Sequence, residues 1–315
     1  SIDESFLNFS GLSDPIGLAV RMRRTVNQWT GIPISVGLGM TKTLAKLANR
    51  LAKKSGSGCL QVDVGDLDTL ARVAIEDIWG VGRRLAVRLR RVGAHDARQF
   101  VELPAAVVRS IGGVTLERTH CELMGTSCIE MEEVVPPRKN TCCSRSFGKP
   151  LTSLEGLEEA VANYVVRAVR KVRAENSLAS GIQVFVMTNR FREDQPQYSN
   201  ARALALDEPT DDPIRVIRRA KELLRSIYRP GYSYKKAGVI LLDLVSSHSQ
   251  QGLLFKEFGD DRTRGFVDAM EEVAARYGTM SGFWGAQGMD HSWRMRREMR
   301  TPRFTTNWSE IPEFG

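Results

Sequence analysis

Residues 141–246 constrain the fold more than any other part of the chain. A strand-like stretch at 141–147 precedes a helical one from about 153 to 176. Strands follow at 181–188 and near 197–206, then a helix over 213–228 and a last strand at 237–245. In that last strand Val239, Ile240, Leu241, Leu242 and Leu244 form an apolar run, which reads as buried. The β-α-β-β-α-β order is that of a ferredoxin-like split βαβ unit.

The rest of the chain reads differently on either side. Residues 1–64 are mixed α/β. Apolar residues alternate with polar ones at the start (Ile2, Phe6, Leu7, Phe9). Helices are predicted over 15–29 and 41–54, a short strand at 34–37 and another at 59–64. Residues 66–130 read as a small all-helical domain, broken by Gly80, Gly82, Gly93, Gly112, Gly113 and Gly125. Residues 131–140, with Pro136-Pro137-Arg138-Lys139, read as an extended linker. Residues 247–315 are a polar tail with a weak fold signal. A chain of 315 residues, at about 150 per domain, has room for roughly two domains or three small ones. The expectation is therefore a multidomain α+β protein. No stretch approaches the roughly 18 apolar residues of a membrane span, and no charged-then-apolar leader is visible, so a cytoplasmic protein is expected.

With 45 Lys+Arg against 37 Asp+Glu the chain carries a formal +8, which suits an anionic partner such as nucleic acid. Arg83, Arg84, Arg88, Arg90 and Arg91 fall together, and Arg294, Arg296, Arg297, Arg300 and Arg303 form a second cluster. Arginine forks match phosphate geometry. The cysteines (Cys59, Cys121, Cys128, Cys142, Cys143) are odd in number and contain no CxxC pair, so neither a disulfide framework nor a zinc site is expected.

Four constellations carry chemistry. On the helix predicted over 41–54, Lys42, Lys46 and Lys53 fall within about 40° of one another, opposite Leu44, Leu47 and Leu51. Behind the glycines Gly37 and Gly39, which allow a tight turn, this stripe is either a solvated face or a cradle for polyphosphate. It is not a P-loop, because Thr41 rather than Gly precedes Lys42-Thr43. Next, Ile78-Trp79-Gly80-Val81-Gly82-Arg83-Arg84-Leu85 has the form of a helix-hairpin-helix. Its glycines would expose N–H groups to a phosphate oxygen, with Arg83 and Arg84 adding attraction. Third, Asp3 and Glu4 would point to opposite faces of a regular strand but converge at a bulge or hairpin tip, as either surface acids or Mg²⁺ ligands. Fourth, Gln251-Gly252-Leu253-Leu254-Phe255 is an apolar patch in a polar stretch, either a minor core contact or a docking peptide.

Taken together these residues resemble the Y-family (translesion) DNA polymerases, most closely the UmuC branch. The resemblance rests on Ser1-Ile2-Asp3-Glu4-Ser5-Phe6, the run from Val36 to Ala48, Trp79-Gly80-Val81-Gly82-Arg83-Arg84, Cys143-Ser144-Arg145-Ser146-Phe147-Gly148 and Lys236-Ala237-Gly238-Val239. In the tail it rests on Gly285-Ala286-Gln287-Gly288 and Ser292-Trp293-Arg294-Met295-Arg296-Arg297. The resemblance implies a partial palm at 1–64, a thumb at 66–130, a little finger at 141–246 and a UmuC-type tail at 247–315. It implies metal-binding carboxylates at Asp3 and Glu4 for two Mg²⁺ ions in a complete enzyme, and contact with an incoming deoxynucleoside triphosphate at Lys53, with Lys46 and Lys42 beside it. DNA contacts are implied at Gly80, Gly82, Arg83, Arg84, Ser144, Arg145 and Ser146. Sliding-clamp contacts are implied at Gln251, Leu253, Leu254 and Phe255. The implied activity is error-prone translesion synthesis on damaged primer–template DNA in an SOS-type response, with a UmuD-like dimer and RecA as partners. The family's first metal-binding Asp, its ribonucleotide gate and its fingers precede the motif in which this chain opens. The resemblance therefore implies a fragment that binds DNA without extending a primer. The competing reading is a noncatalytic protein that binds DNA and the clamp.

Overall fold

Glycine at 37 and 39 is explained by close packing. Strand β1 (Val36–Leu38) lies directly against helix α2 (Lys42–Ser55), and a Cβ on Gly37 would stand 2.0 Å from the Asn49 backbone nitrogen. A Cβ on Gly39 would meet the Ala45 nitrogen at 2.7 Å. Neither glycine has a positive φ, so the tight turn expected at these positions is instead a close approach of strand and helix. The computed structural model describes residues 3–131, 136–247, 261–278, 281–289, 293–295, 299–304 and 306–313. The chain divides into two units, residues 1–135 and 136–315.

In the first unit, α1 (Pro15–Thr30) starts on Asp14, whose carboxylate accepts from the Gly17 N–H at 2.8 Å, and stops at a left-handed Gly31. The cap and the first-turn proline fix its start. Strand β1 pairs in parallel with β2 (Cys59–Gln61) across α2, whose N-cap is Thr41. The second strand was expected to reach residue 64. It ends once Val62 has donated to the Leu38 carbonyl and turned into the core. Residues 3–14 contain no strand. Then come α3 (Leu67–Ala71), a 3-10 turn at Ile75–Asp77, α4 (Arg83–Arg91), α5 (Ala97–Val101) and α6 (Ala105–Leu123), the last bent at Gly113. Leu44, Leu47, Ala48 and Val62 share one apolar core with Leu70, Ile75, Leu89, Phe100, Leu116 and Leu123.

The second unit is built on β3 (Thr141–Leu151), α7 (Leu154–Ala174), β4 (Ser177–Thr188), β5 (Ser199–Thr210), α8 (Pro213–Ile227) and β6 (Tyr234–Ser246). The order of elements along the chain is the one read from the sequence, but the sheet departs from the expected ferredoxin-like unit, because its second and fourth strands are central rather than its first and third. The sheet order is β3-β6-β4-β5, all neighbours antiparallel. Each helix thus joins two parallel strands that have a third strand between them, and β3 and β5 are the edges. Both helices cover one face. There Phe147, Ile182, Val184, Val186, Val239 and Leu241 meet Leu157, Val165, Val169 and Leu224. Strand alternation leaves Ser144, Ser146, Phe185 and Lys236 on the other face.

Two parts of the tail also fold onto α7. Helix α9 (Asp261–Tyr277) sends Asp268 and Glu271 to Arg173, which also pairs with Asp211 at 2.8 Å. A 3-10 turn at Gly285–Gln287 exchanges amide hydrogen bonds with buried Asn163. The sequence offered only a weak signal here, because these tail contacts join residues 95 to 124 positions apart.

Candidate nucleic-acid interface

The N-terminal segment, the start of α2 and the turn before α4 meet at one place in the first unit. Glu4 Oε2 lies 3.0 Å from Lys46 Nζ. The Lys46 ammonium also sits over the Trp79 ring, 4.7 Å from its centroid. Lys42 stands 5.3 Å above the Phe6 ring, and the Phe6 and Trp79 rings are 5.8 Å apart. Two lysines one helical turn apart are thus held by a carboxylate and two aromatic faces. Each contact is modest, roughly 0.5–1 kcal/mol at such exposure. An anion reaching both ammonium groups would compete with these contacts.

Lys53 is exposed, about 10 Å further along the helix axis at 1.5 Å per residue, so the cluster includes Lys42 and Lys46 but not Lys53. Asp3 is exposed beside Glu4. Carboxylate oxygens are the donors Mg²⁺ takes, usually one or two together with substrate phosphates and water. Asp3 and Glu4 fit a share in one such ion. Among the described residues no group of three or more His, Cys, Asp or Glu gathers to hold a metal, so the pair alone does not fit two.

Behind the lysines, Glu122 fixes the start of α2. Its carboxylate is fully buried and accepts from Thr43 N (2.9 Å), Thr43 Oγ1 (3.0 Å), Cys128 N (2.8 Å) and Ile129 N (3.1 Å). Lys42 Nζ donates to the Glu130 carbonyl at 2.6 Å. Nothing in the sequence pattern marks Glu122, since a Glu in an amphipathic helix reads as solvated.

The Trp79–Arg84 turn keeps much of its expected form. Gly80 has φ +86°, a conformation that favours glycine. Gly82, at φ −82° and ψ 171°, is ordinary extended backbone and leads into α4 with no side chain capping it. Gly82, Arg83 and Arg84 at that helix start are exposed. The arm before the turn is a single 3-10 turn rather than a full helix. Buried Ala86 and Leu89 anchor α4, and Arg90 pairs with Glu76.

On β3, Ser144 and Ser146 share the open sheet face, opposite Gly238 and Lys236. Arg145, opposite Ala237, lies on the other face, so the three expected DNA residues divide two and one. A Cβ on Gly238 would stand 2.4 Å from both Phe185 Cζ and Ser144 Cβ, which keeps the middle of the open face flat. All five cysteines are free thiols, and burial pushes Cys143 up from its ordinary value. Gln251, Leu253, Leu254 and Phe255 lie outside the described residues.

This arrangement has counterparts of known class. A Y-family DNA polymerase chimera of Dbh and Dpo4 superposes with a TM-score of 0.53 at 20% identity, covering 73% of this chain and 64% of that one. At that identity the likeness shows the fold alone. Protein UmuC of Salmonella typhimurium is 37% identical over 325 residues, spanning 99% of this chain and 76% of the relative. Protein ImpB of the same organism is 35% identical with the same coverage. DNA polymerase IV of Desulfatibacillum aliphaticivorans is 25% identical over 89% of this chain and 70% of its own length. The impB/mucB/samB family matches residues 1–50, its C-terminal domain residues 138–254, and a domain of unknown function (DUF4113) residues 265–313. The chain belongs to the UmuC-type branch of the Y-family, a family of DNA-directed DNA polymerases.

Proposed function

We propose that this chain carries the triphosphate-facing and DNA-gripping parts of a translesion polymerase. The observation that carries this reading is the Glu4–Lys46–Trp79 cluster with Lys42 and Phe6 beside it. Lys42 and Lys46 bind the phosphates of an incoming deoxynucleoside triphosphate, and Lys53 steers it from further along α2. Asp3 and Glu4 would hold a Mg²⁺ ion accompanying those phosphates, with Glu4 paired to Lys46 in its absence. Bound Mg²⁺ would stabilise charge on the transferring phosphoryl group. Residues 1–64 act as a partial palm, 66–130 as thumb with a helix-hairpin-helix, and 141–246 as little finger. Gly80, Gly82, Arg83 and Arg84 hold one stretch of DNA backbone. Ser144 and Ser146, on the open sheet face, meet another. With no group of three or more metal-ligating side chains among the described residues, the chain alone is proposed to bind DNA and nucleotide without extending a primer. The clamp, a UmuD-like dimer and RecA are proposed partners, with damaged primer–template DNA as substrate.

Mg²⁺ and a deoxynucleoside triphosphate should quench the fluorescence of Trp79, a signal that Trp79→Phe removes. Lys46→Ala should weaken the apparent affinity by about tenfold, the loss of one charge-assisted contact. Unchanged affinity in that variant would overturn the assignment.

A further inference from the structure

Beside the open sheet face, the second unit holds a cluster that the roles above do not use. Tyr164 on α7 is 1% exposed, and its hydroxyl has no hydrogen-bond partner among the described residues. A buried hydroxyl without a partner costs about 1–3 kcal/mol, a cost that a ligand accepting from it would remove. The charges that reach this hydroxyl belong to Arg167, one turn along α7, to Arg145 on β3 and to Arg294 in the tail.

The tail is held there by several contacts. Trp293 is 6% exposed, its ring edge-on to both Tyr164 (5.9 Å) and Phe147 (6.1 Å). The Gly148 N–H donates to the Trp293 carbonyl at 3.0 Å, and a Cβ on Gly148 would stand 2.6 Å from the Arg294 carbonyl oxygen. Glycine at 148 is what lets the tail cross β3. Arg294 Nη2 reaches the Asn163 amide oxygen at 3.5 Å, and its guanidinium lies 5.8 Å from the Trp293 centroid.

We propose that Tyr164, Arg167, Arg145 and Arg294 form an oxyanion site on the helix side of β3, completed by the tail and built for a backbone phosphate of nucleic acid. Burial pushes the Tyr164 phenol up to about 12, more than the three arginines lower it. The phenol therefore stays protonated and donates. Burial, then Arg167, hold Arg294 below the ordinary guanidinium range. Like charges gathered at a buried donor are stabilised by an anion that accepts from all of them. A phosphodiester fits better than a free phosphate because β3 is an edge strand. Ser144 and Ser146 lie on the other face of the same stretch, so a nucleic-acid backbone passing that edge meets both. The site rests on the reading of this unit as a DNA-gripping domain.

The test is fluorescence anisotropy of a labelled primer–template duplex with a 5′ single-stranded overhang, followed across salt concentration. Arg167→Ala should weaken binding and reduce the slope of log affinity on log salt by about 0.9, one phosphate's worth. Tyr164→Phe keeps the ring packing and should weaken binding about fivefold with the slope unchanged. Arg218→Ala removes a charge from the exposed side of α8 and should change neither. Equal effects of Arg167→Ala and Arg218→Ala would overturn the site in favour of general attraction. Inorganic phosphate at constant ionic strength separates the two sources. If it stabilises the wild type but not Arg167→Ala against heat, while neither substitution affects duplex binding, the ligand is free phosphate and the assignment falls. Failure of the wild-type chain to bind duplex at all would instead overturn the underlying reading of the domain.

Discussion

At Glu122 a carboxylate with no exposure is tolerated because four donors surround it. Removing it strands those donors, each costing about 1–3 kcal/mol when buried and unpaired. Glu122→Ala should therefore destabilise the first unit by about 3 kcal/mol, read as a lowered urea midpoint. A loss below about 0.5 kcal/mol would show that water replaces the carboxylate without cost. Glu158 gives a pH-dependent counterpart in the second unit. Burial would raise its pKa, but hydrogen bonds from Arg225 (2.7 Å) and the Lys221 ammonium (3.2 Å) hold it below the ordinary value. A depressed carboxylate stabilises the fold above its unfolded pKa of about 4.3, and that contribution is lost as pH falls through the lower folded value. Glu158→Gln should thus lower stability by about 1 kcal/mol at pH 7, with the difference closing in acid. A difference independent of pH would mean that the substitution acts through packing. Neither role was visible in sequence, where nothing singles out Glu122 or Glu158.

Among the elements, α2 was read nearly to its ends, because it has one strongly apolar face and a local start signal, whereas α4 was expected only as a helix following Gly82. Thr41 caps α2, and Gly82 leads into α4. What local signals could not show was the partner of each polar face. The lysine stripe of α2 was legible as a stripe. Its meeting with Glu4, Phe6 and Trp79 depends on where the N-terminal segment lies. The glycines before α2 were legible as special but explained wrongly, since close packing and tight turning leave the same mark in a sequence. At Gly80 the reason is conformational. Gly80→Ala must place a side chain at φ +86°, costing about 1 kcal/mol. Thermal unfolding of the first unit should register that loss, and an unchanged midpoint would show that the turn relaxes to negative φ.

At the scale of the whole chain, the β-α-β-β-α-β order was readable because each strand and helix carries its own period. The strand order β3-β6-β4-β5 was not, because pairing is decided between segments far apart in sequence. The tail was the least legible part. Two of its docking points, Gln287 on Asn163 and Trp293 against Phe147 and Tyr164, are single residues in a polar stretch. Its family match carries a description of unknown function. The central claim is that this member of a polymerase family binds DNA by its phosphates, through the uncapped start of α4 in one unit and the β3 strand in the other. The most direct measurement is the salt dependence of primer–template binding by the 315-residue chain and by its Arg83→Ala/Arg84→Ala variant. The account predicts steep salt dependence in the wild type and a slope shallower by about 1.8 in the variant, for two lost phosphate contacts. Equal slopes in the two proteins would contradict it.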